Sequence, residues 1–269
     1  MDLNQTFRHL AEHDTVSLEP SWAQGRAAFG GLSAALMLVK LQHLIGDARA
    51  LRSFTVSFVG PIDTTGEISI EARILRTGKS VVQGEAHLLQ NGEVQAAMLA
   101  SFGNARDSSI YVPYAIRRPR WPAPESVPPL PEKAEGMPAF LHHIDLRWAY
   151  GPMPYSGADN ADFGGYMRLK GQQGEFTLAH LVTLVDAWPP AVTTLLSAPA
   201  PTSSLTWTLE LLQAPQNPSM QDFWQYQVHT DFCRDGYGHT DARIWDKDGN
   251  PIIISRQTVT VFAKKKQAV

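Results

Sequence analysis

Residues 25–45 read GRAAFGGLSAALMLVKLQHLI, and much of the expected architecture follows from this stretch. The run from Gly30 to Ile45 is helical in character and carries almost no charge, so the predicted helix has little polar face to present to water. Such a helix has to be covered on most sides by other elements. Gly30 and Gly31 stand at its start, where glycine lets another chain or a ligand approach the backbone closely. The stretch therefore predicts a buried central helix with a close contact at its first turn.

Four segments with alternating apolar and polar residues follow this helix and are typical of antiparallel strands. They are RSFTVSFVGPI (52–62), GEISIEARILRTG (66–78), SVVQGEAHLLQNG (80–92) and EVQAAMLASFG (93–103). The pair Asn91-Gly92 between the last two is a strong β-hairpin signal. One helix and four or five strands bury the apolar helix when the sheet curls around it. The first half thus predicts one helix-wrapped antiparallel sheet.

The second half repeats this order of elements. The helical run EFTLAHLVTLVDAW (175–188) leads to SSLTWTLELLQAP (203–215), DFWQYQVHTDFC (222–233), HTDARIWDKDG (239–249) and IIISRQTVTVF (252–262), with Asp248-Gly249 as the matching hairpin turn. Phe29, Ser53 and Gly92 recur at a nearly constant spacing as Phe176, Ser204 and Gly249. Pairing two such units edge to edge removes two exposed sheet edges. The prediction is an α+β double hot-dog, with two tandem helix-wrapped antiparallel sheets joined edge to edge.

Proline usage sets the expected boundaries of the two units. Eight of the 19 prolines fall between Pro113 and Pro138, a stretch that favours an extended linker. We therefore expect an N-terminal unit over 1–104, a proline-rich linker over 105–138 and a C-terminal unit over 139–269.

Composition excludes several classes of function. A net charge of −3 and a pI of about 6.3 provide no basic field for nucleic acid. Cys233 is the only cysteine, so a disulfide framework is not expected. No G-x-S-x-G, P-loop or G-x-G-x-x-G motif is present, and the histidines show no zinc-site pattern. We expect no metal, no cofactor, no membrane span and a cytoplasmic location, the last because the N-terminal residues have no signal-peptide character.

Asp186 breaks the local pattern of the second helix. It ends the apolar run LAHLVTLVD, and counting back by four and seven residues gives Val182 and Ala179. A carboxylate on such a face is costly unless it is hydrogen-bonded or functional. The alternative is an exposed aspartate at the helix end, because Pro189 and Pro190 stop the helix. The spacing leaves both interpretations open.

Three motifs resemble the acyl-CoA thioesterase II family, whose chains are double hot-dogs. They are QGRAAFGGLSAAL (24–36), SSLTWTLEL (203–211) and SRQTVTVF (255–262). In that family a helix aspartate, a strand serine or threonine and a closing-strand glutamine hold a water. Matched residue by residue, these are Asp186, Ser204 and Gln257. The family's Asp-His after the strand hydroxyl is Thr206-Trp207 here, which leaves Ser203 as an alternative to Ser204.

The resemblance implies hydrolysis of an acyl-CoA thioester to a free acid and CoA. Asp186 would accept the water's proton, and a backbone N–H near Thr177, at the start of the second helix, would polarise the thioester carbonyl. Further expected substrate contacts are Gly30, Gly31, Arg26, Arg168 and Arg256, the arginines for CoA phosphates. The expected partners are an acyl-CoA substrate and further copies of the chain in a homo-oligomer.

The first unit lacks this polar set, because Val39 and Ala100 stand near the places of Asp186 and Gln257. It is therefore expected to shape the substrate site rather than to carry chemistry. Two other functions stay open at this point. One is a non-catalytic acyl-CoA or lipid-binding protein, and the other is a hot-dog dehydratase using His180.

Overall fold

A computed structural model describes residues 1–46, 48–131 and 136–263. The α-helices are α1 (Leu3–Glu12), α2 (Gly30–Ile45) and α3 (Leu178–Val185). The strands are β1 (Thr15–Ser17), β2 (Ala23–Gln24), β3 (Ala27–Ala28), β4 (Ala50–Phe58), β5 (Glu67–Thr77), β6 (Val81–Gln90), β7 (Glu93–Gly103), β8 (Ile144–Tyr150), β9 (Phe163–Leu169), β10 (Thr202–Leu211), β11 (Trp224–Arg234), β12 (Tyr237–Trp245) and β13 (Pro251–Val261). Short 3-10 helices span Pro20–Trp22, Pro124–Ser126, Ala139–His143 and Ala191–Leu195.

One antiparallel sheet of 11 strands runs through both halves in the order β1-β5-β6-β7-β4-β10-β13-β12-β11-β9-β8. The join is the antiparallel pair β4–β10, in which the Thr55 and Thr208 hydroxyls lie 3.0 Å apart. On either side of this join the strands follow in matching order, so β7, β6 and β5 correspond to β13, β12 and β11. The predicted pairing of two sheets edge to edge is confirmed.

The long helix α2 is buried as its sequence predicted. Leu32, Leu36, Leu38 and Leu41 are fully buried, and the helix packs against α3 and strands β5 and β6. The helix α3 is shorter than the apolar run suggested, and it ends at Val185, ahead of the two prolines. The two helices run in opposite directions, because the first turn of α2 meets the end of α3.

The hairpins have the backbone geometry that their sequences predict. Asn91 and Gly92 both have positive φ, 55° and 78°, as a two-residue primed turn requires. The corresponding connection in the second half is a longer loop between Trp245 and Pro251, in which only Gly249 has positive φ. There the Asp246 carboxylate accepts hydrogen bonds from loop N–H groups and holds the loop closed.

Two strands of the second half lie outside the segments that the sequence identified as strands. These are β8 and β9, which form the far edge of the sheet. Part of the proline-rich stretch contacts this region, because Arg147 on β8 donates to the carbonyls of Pro124 and Val127. Within the described residues, no helix has both the length and the apolar character that crossing a membrane demands.

Candidate active site

Asp186 directly follows α3, and its side chain turns into the protein. Its Oδ1 accepts a hydrogen bond of 2.5 Å from Nε2 of Gln257 on β13. The carboxyl group is only partly exposed, and the exposed part faces a cavity of about 400 Å³. The two alternatives left open by the spacing are thereby resolved, because this aspartate packs inside the chain although it stands at a helix end.

The start of α2 forms the other wall around Asp186. The backbone N–H of Gly31 donates to the carboxyl group. A Cβ at Gly30 would lie 2.8 Å from Oδ2 of Asp186, and one at Gly31 would lie 2.7 Å from the carbonyl oxygen of Thr183. Any side chain at these positions would displace α3 or the carboxyl group. The paired glycines therefore let the helix of one half touch the acidic residue of the other.

The surroundings of Asp186 change its acidity. Burial raises the pKa of the carboxyl group to about 7, although the hydrogen bonds from Gln257 and Gly31 act in the opposite direction. A carboxyl group with a pKa near neutrality exchanges a proton readily at physiological pH, which is the property of a general base.

A β-bulge brings Ser204 to the same cavity. Ser204 pairs with Val259 and Thr206 with Thr258, so Leu205 is the extra residue in β10. In a regular strand Ser204 and Trp207 would face opposite sides of the sheet, whereas the bulge directs both inward. The Ser204 side chain is half-buried and lines the cavity with Asp186.

Ser203, the alternative strand hydroxyl, also borders the cavity but is exposed. Its Oγ lies 3.4 Å from the carbonyl oxygen of Ser204. Of the two serines, Ser204 is the one whose side chain is directed inward. Neither serine hydroxyl is hydrogen-bonded directly to Asp186 in the described part of the chain, and the link between them is the shared cavity.

Gln257 lies on the inner face of β13, paired with Trp207 on one side and Thr240 on the other. Because its Nε2 donates to Asp186, its Oε1 is the end that faces away from the carboxyl group. An amide fixed in this way has a carbonyl oxygen available to accept a further hydrogen bond.

The structure does not bring Thr177 to this cavity. Thr177 precedes α3 at the opposite end of the helix pair, next to Gln42 and Gly46 at the end of α2. Its backbone N–H and hydroxyl both contact Nδ1 of His180, 3.0 and 2.9 Å away. The helix start that reaches Asp186 belongs to α2, so the position expected for Thr177 is not supported by the structure.

The two ends of the helix pair are therefore unequal. At the start of α3, the Thr177 N–H already donates a hydrogen bond to Nδ1 of His180. Burial lowers the pKa of His180 to about 4. His180 is fully buried against Phe7 and Phe176. These contacts give His180 a structural position and not one facing the cavity beside Asp186.

The three arginines expected at CoA phosphates lie in different places. Arg26 is exposed in the β2–β3 turn, between Gln24 and Ala27, which both border the cavity. Arg168 instead pairs with Asp145, 2.9 Å away, and its guanidinium lies over the Phe223 ring.

Arg256 pairs with Asp231 and with Asp241, at 3.4 and 2.8 Å. Adjacent residues of a strand point to opposite faces, so Arg256 lies on the face of β13 away from the side chain of Gln257. Only Arg26 is next to the cavity mouth, and the expectation for Arg168 and Arg256 is not supported by their position.

Several residues near the site could not be identified from the sequence. Tyr226 is buried and stacks on Trp188 with ring centroids 5.0 Å apart, and burial and the charge of Asp186 raise the pKa of its hydroxyl. Gln24, Pro190 and Thr202 line the cavity and also a second, larger one. Their positions depend on loop packing between the halves, which a linear pattern does not encode.

Within the described residues, no three His, Cys, Asp or Glu side chains are grouped in a way that could hold a metal ion. Polar groups that line the cavity include the Asp186 carboxyl group, the Ser204 hydroxyl and the start of α2 at Gly30. Gln257 is connected to the cavity through its hydrogen bond to Asp186.

The fold and this cavity define a double hot-dog protein with a buried acidic residue between its two halves. Residues 18–103 match the family model for the acyl-CoA thioesterase N-terminal domain, and residues 124–261 match that for the C-terminal domain. The chain belongs to the acyl-CoA thioesterase family, whose members are thioester hydrolases.

Solved structures share the fold at low sequence identity. A hot-dog protein of unknown function from Alicyclobacillus acidocaldarius has a TM-score of 0.81 at 22% identity, covering 96% of this chain and 98% of that one. A putative thioesterase II from Thermobifida fusca has a TM-score of 0.77 at 22% identity, covering 93% and 92%. An acyl-CoA thioesterase II from Mycobacterium marinum has a TM-score of 0.74 at 17% identity, covering 96% and 99%. A comparison with curated protein sequences found no significant match.

Proposed function

We propose that this protein hydrolyses acyl-CoA thioesters with a water activated by Asp186 and oriented by Ser204 and Gln257. The observation that carries the proposal is the buried Asp186 carboxyl group, held by Gln257 and bordering a cavity that Ser204 also lines. Family membership supplies the reaction class, and the geometry supports the assignment of residues.

In the proposed reaction Asp186 removes a proton from water as the water oxygen attacks the thioester carbonyl carbon. The C–S bond then breaks, the acid is released, and the proton passes to the CoA thiolate. General base catalysis of this kind contributes about 10²–10⁴-fold to a rate. Gln257 fixes the carboxyl group through its Nε2, and its Oε1 accepts a hydrogen bond from the second proton of the water. The Ser204 hydroxyl donates to the water oxygen.

The start of α2 supplies the stabilisation of negative charge. The first N–H groups of a helix lack partners inside the helix, and the helix dipole adds positive potential there. Gly31 uses its N–H on Asp186, whereas the N–H of Gly30 is the one left beside the cavity. We assign Gly30 as the donor to the carbonyl oxygen that becomes negative in the transition state.

The test is thiol release from short, medium and long acyl-CoAs by wild type and Asp186→Ala. We expect kcat to fall by at least about 100-fold with the fold intact. The control is Asp107→Asn, which removes an exposed carboxylate. A fully active Asp186→Ala variant would refute the residue assignment. Binding of a non-hydrolysable acyl-CoA analogue by a wild type that cleaves no thioester would instead indicate a binding protein.

The proposal also includes a homo-oligomer in the cytoplasm, where acyl-CoA is available. The strands β1 and β8 leave the two ends of the sheet without a partner strand among the described residues. Apolar side chains such as Leu99 and Phe232 are each 57% exposed, and a second copy would cover them. Sedimentation analysis checks the oligomer, and a monomer at micromolar concentration would contradict it.

A further inference from the structure

A second cavity of about 950 Å³ adjoins the one that contains Asp186. The two share Gln24, Pro190 and Thr202 as border residues. The walls come from the end of the linker, from β8, from the loop before β9 and from residues 187–190, which directly follow Asp186. A group attached to a carbonyl beside Asp186 can therefore extend past this border into the larger cavity.

The walls of the larger cavity are apolar and stiff. Its deepest side chains are Phe140, Leu146 and Trp188, which are all at most 5% exposed. Six prolines contribute to the lining, namely Pro131, Pro138, Pro154, Pro189, Pro190 and Pro201. No Asp, Glu, Lys or Arg side chain is among the described residues that line it. Such apolar walls suit an apolar group, because transfer of apolar surface out of water is favourable.

Two large side chains at the rim of this cavity are exposed to solvent, and one of them has an unfavourable backbone conformation. Met153 is 44% exposed and Tyr155 is 38% exposed. Tyr155 also has a φ of 62°, in the left-handed region that residues other than glycine rarely adopt. The backbone is held there by a hydrogen bond of 2.8 Å from the Tyr155 N–H to the Thr193 carbonyl. Strained residues of this kind are typical of ligand clamps.

Building on the proposed hydrolysis, we propose that this cavity binds the acyl group and is shaped for a bulky, uncharged, ring-containing acyl group. The partly exposed rings of Trp148 and Tyr155 offer surfaces for offset or edge-to-face ring contacts. Each proline fixes its own backbone φ, so the six prolines limit how far the walls can move toward a thin chain. The polar border at Gln24 and Thr202 separates this cavity from the one in which Asp186 and Gly30 would face the thioester carbonyl.

The CoA portion fits the other side of that border. Its phosphates need cations, and Arg26 stands exposed in the turn beside the smaller cavity. The larger cavity offers no charged side chain among its described residues to receive a phosphate. The two ends of the substrate are thus separated by the chemistry of the two cavities.

The experiment compares kcat/KM for phenylacetyl-CoA and octanoyl-CoA, two substrates with the same number of acyl carbons, with acetyl-CoA as the small reference. We expect wild type to favour phenylacetyl-CoA over octanoyl-CoA by about tenfold or more. Equal or better use of octanoyl-CoA would overturn the inference and leave the proposed hydrolysis standing. No turnover of any of the three would mean that the proposed function itself has failed.

Two variants locate the acyl group. Ala200→Trp, at a partly exposed loop residue that lines the cavity, fills its space, whereas Ala198→Trp, two residues earlier, is the matched control outside the lining. We expect Ala200→Trp to lower kcat/KM for phenylacetyl-CoA about tenfold more than kcat/KM for acetyl-CoA. Equal loss for all substrates, or none, would refute the location.

Tyr155→Gly tests the clamp without endangering the fold, because glycine accepts the left-handed backbone. We expect KM for phenylacetyl-CoA to rise severalfold and the melting temperature to stay the same or increase. An unchanged KM would show that Tyr155 does not contact the acyl group.

Discussion

Asp186→Asn should stabilise the protein at alkaline pH while it removes activity. Asparagine keeps the volume of aspartate and still has one oxygen to accept from Gly31 or Gln257. It cannot ionise, so the cost of a charge in this half-buried position disappears. The change therefore separates the energetic cost of the carboxylate from its role in the reaction.

The magnitude follows from the raised pKa of Asp186, which moves from 3.8 to about 7 because burial disfavours the charged form. A raised pKa means that the folded state binds the proton more tightly than the unfolded state. The contribution of Asp186 to stability is therefore complete below pH 3.8 and is lost as the pH rises through about 7. Three pKa units correspond to about 4 kcal/mol, which is an upper bound because Asp186 is partly exposed to the cavity.

The assay is urea unfolding of wild type and Asp186→Asn at several pH values between 5 and 9. We expect the variant to gain free energy of unfolding relative to wild type as the pH rises through about 7, approaching that bound above pH 8. Asp107→Asn, at an exposed position, should show no such trend. A stability difference that stays flat with pH, or that favours wild type at alkaline pH, would refute the reasoning about the buried charge.

Three further outcomes are expected. Gly31→Ala should lower the free energy of unfolding by about 1–3 kcal/mol in urea titration, because its Cβ would lie 2.7 Å from the Thr183 carbonyl oxygen; unchanged stability would contradict the close contact. Ser204→Ala should lower kcat for thiol release by about 100-fold, and Ser203→Ala should not. A larger loss of kcat in Ser203→Ala would show that Ser203 is the strand hydroxyl of the site. Wild type should lose up to about 3 kcal/mol of stability as the pH falls from 6.5 to about 4, because His180 binds a proton in the unfolded state before it does so in the folded state. His180→Asn should remove this loss, and identical pH profiles of the two proteins in urea titration would contradict the prediction.

The architecture could be predicted because its signals are local and repeated. The uncharged run of α2, the alternation in β4 to β7 and the Asn91-Gly92 turn each point to one element, and their recurrence predicts the paired units. In contrast, β9 contains Gly164 and Gly165, which look like loop residues. Their lack of side chains has a tertiary reason, because a Cβ at Gly164 would lie 2.4 Å from the Trp121 ring and one at Gly165 would lie 2.8 Å from that of Trp188.

The candidate site was predictable only in part. The position of Asp186 on an apolar face suggested an inward carboxyl group, and family resemblance suggested Ser204 and Gln257 as its neighbours. The helix start at the site was misplaced at Thr177, since the sequence does not reveal that α2 and α3 run in opposite directions. The bulge at Leu205 is likewise invisible in the alternation of β10, although it sets which way Ser204 points.

The pH dependence of kcat/KM in wild type and Gln257→Leu tests most directly whether Asp186, held by Gln257, is the base. We predict that wild-type kcat/KM rises with pH through an apparent pKa of about 7, the pKa to which burial raises Asp186. Gln257→Leu removes a hydrogen bond that favours the carboxylate, so this limb should move to higher pH. A limb that is absent in wild type, or that stays in place in Gln257→Leu, would contradict the account.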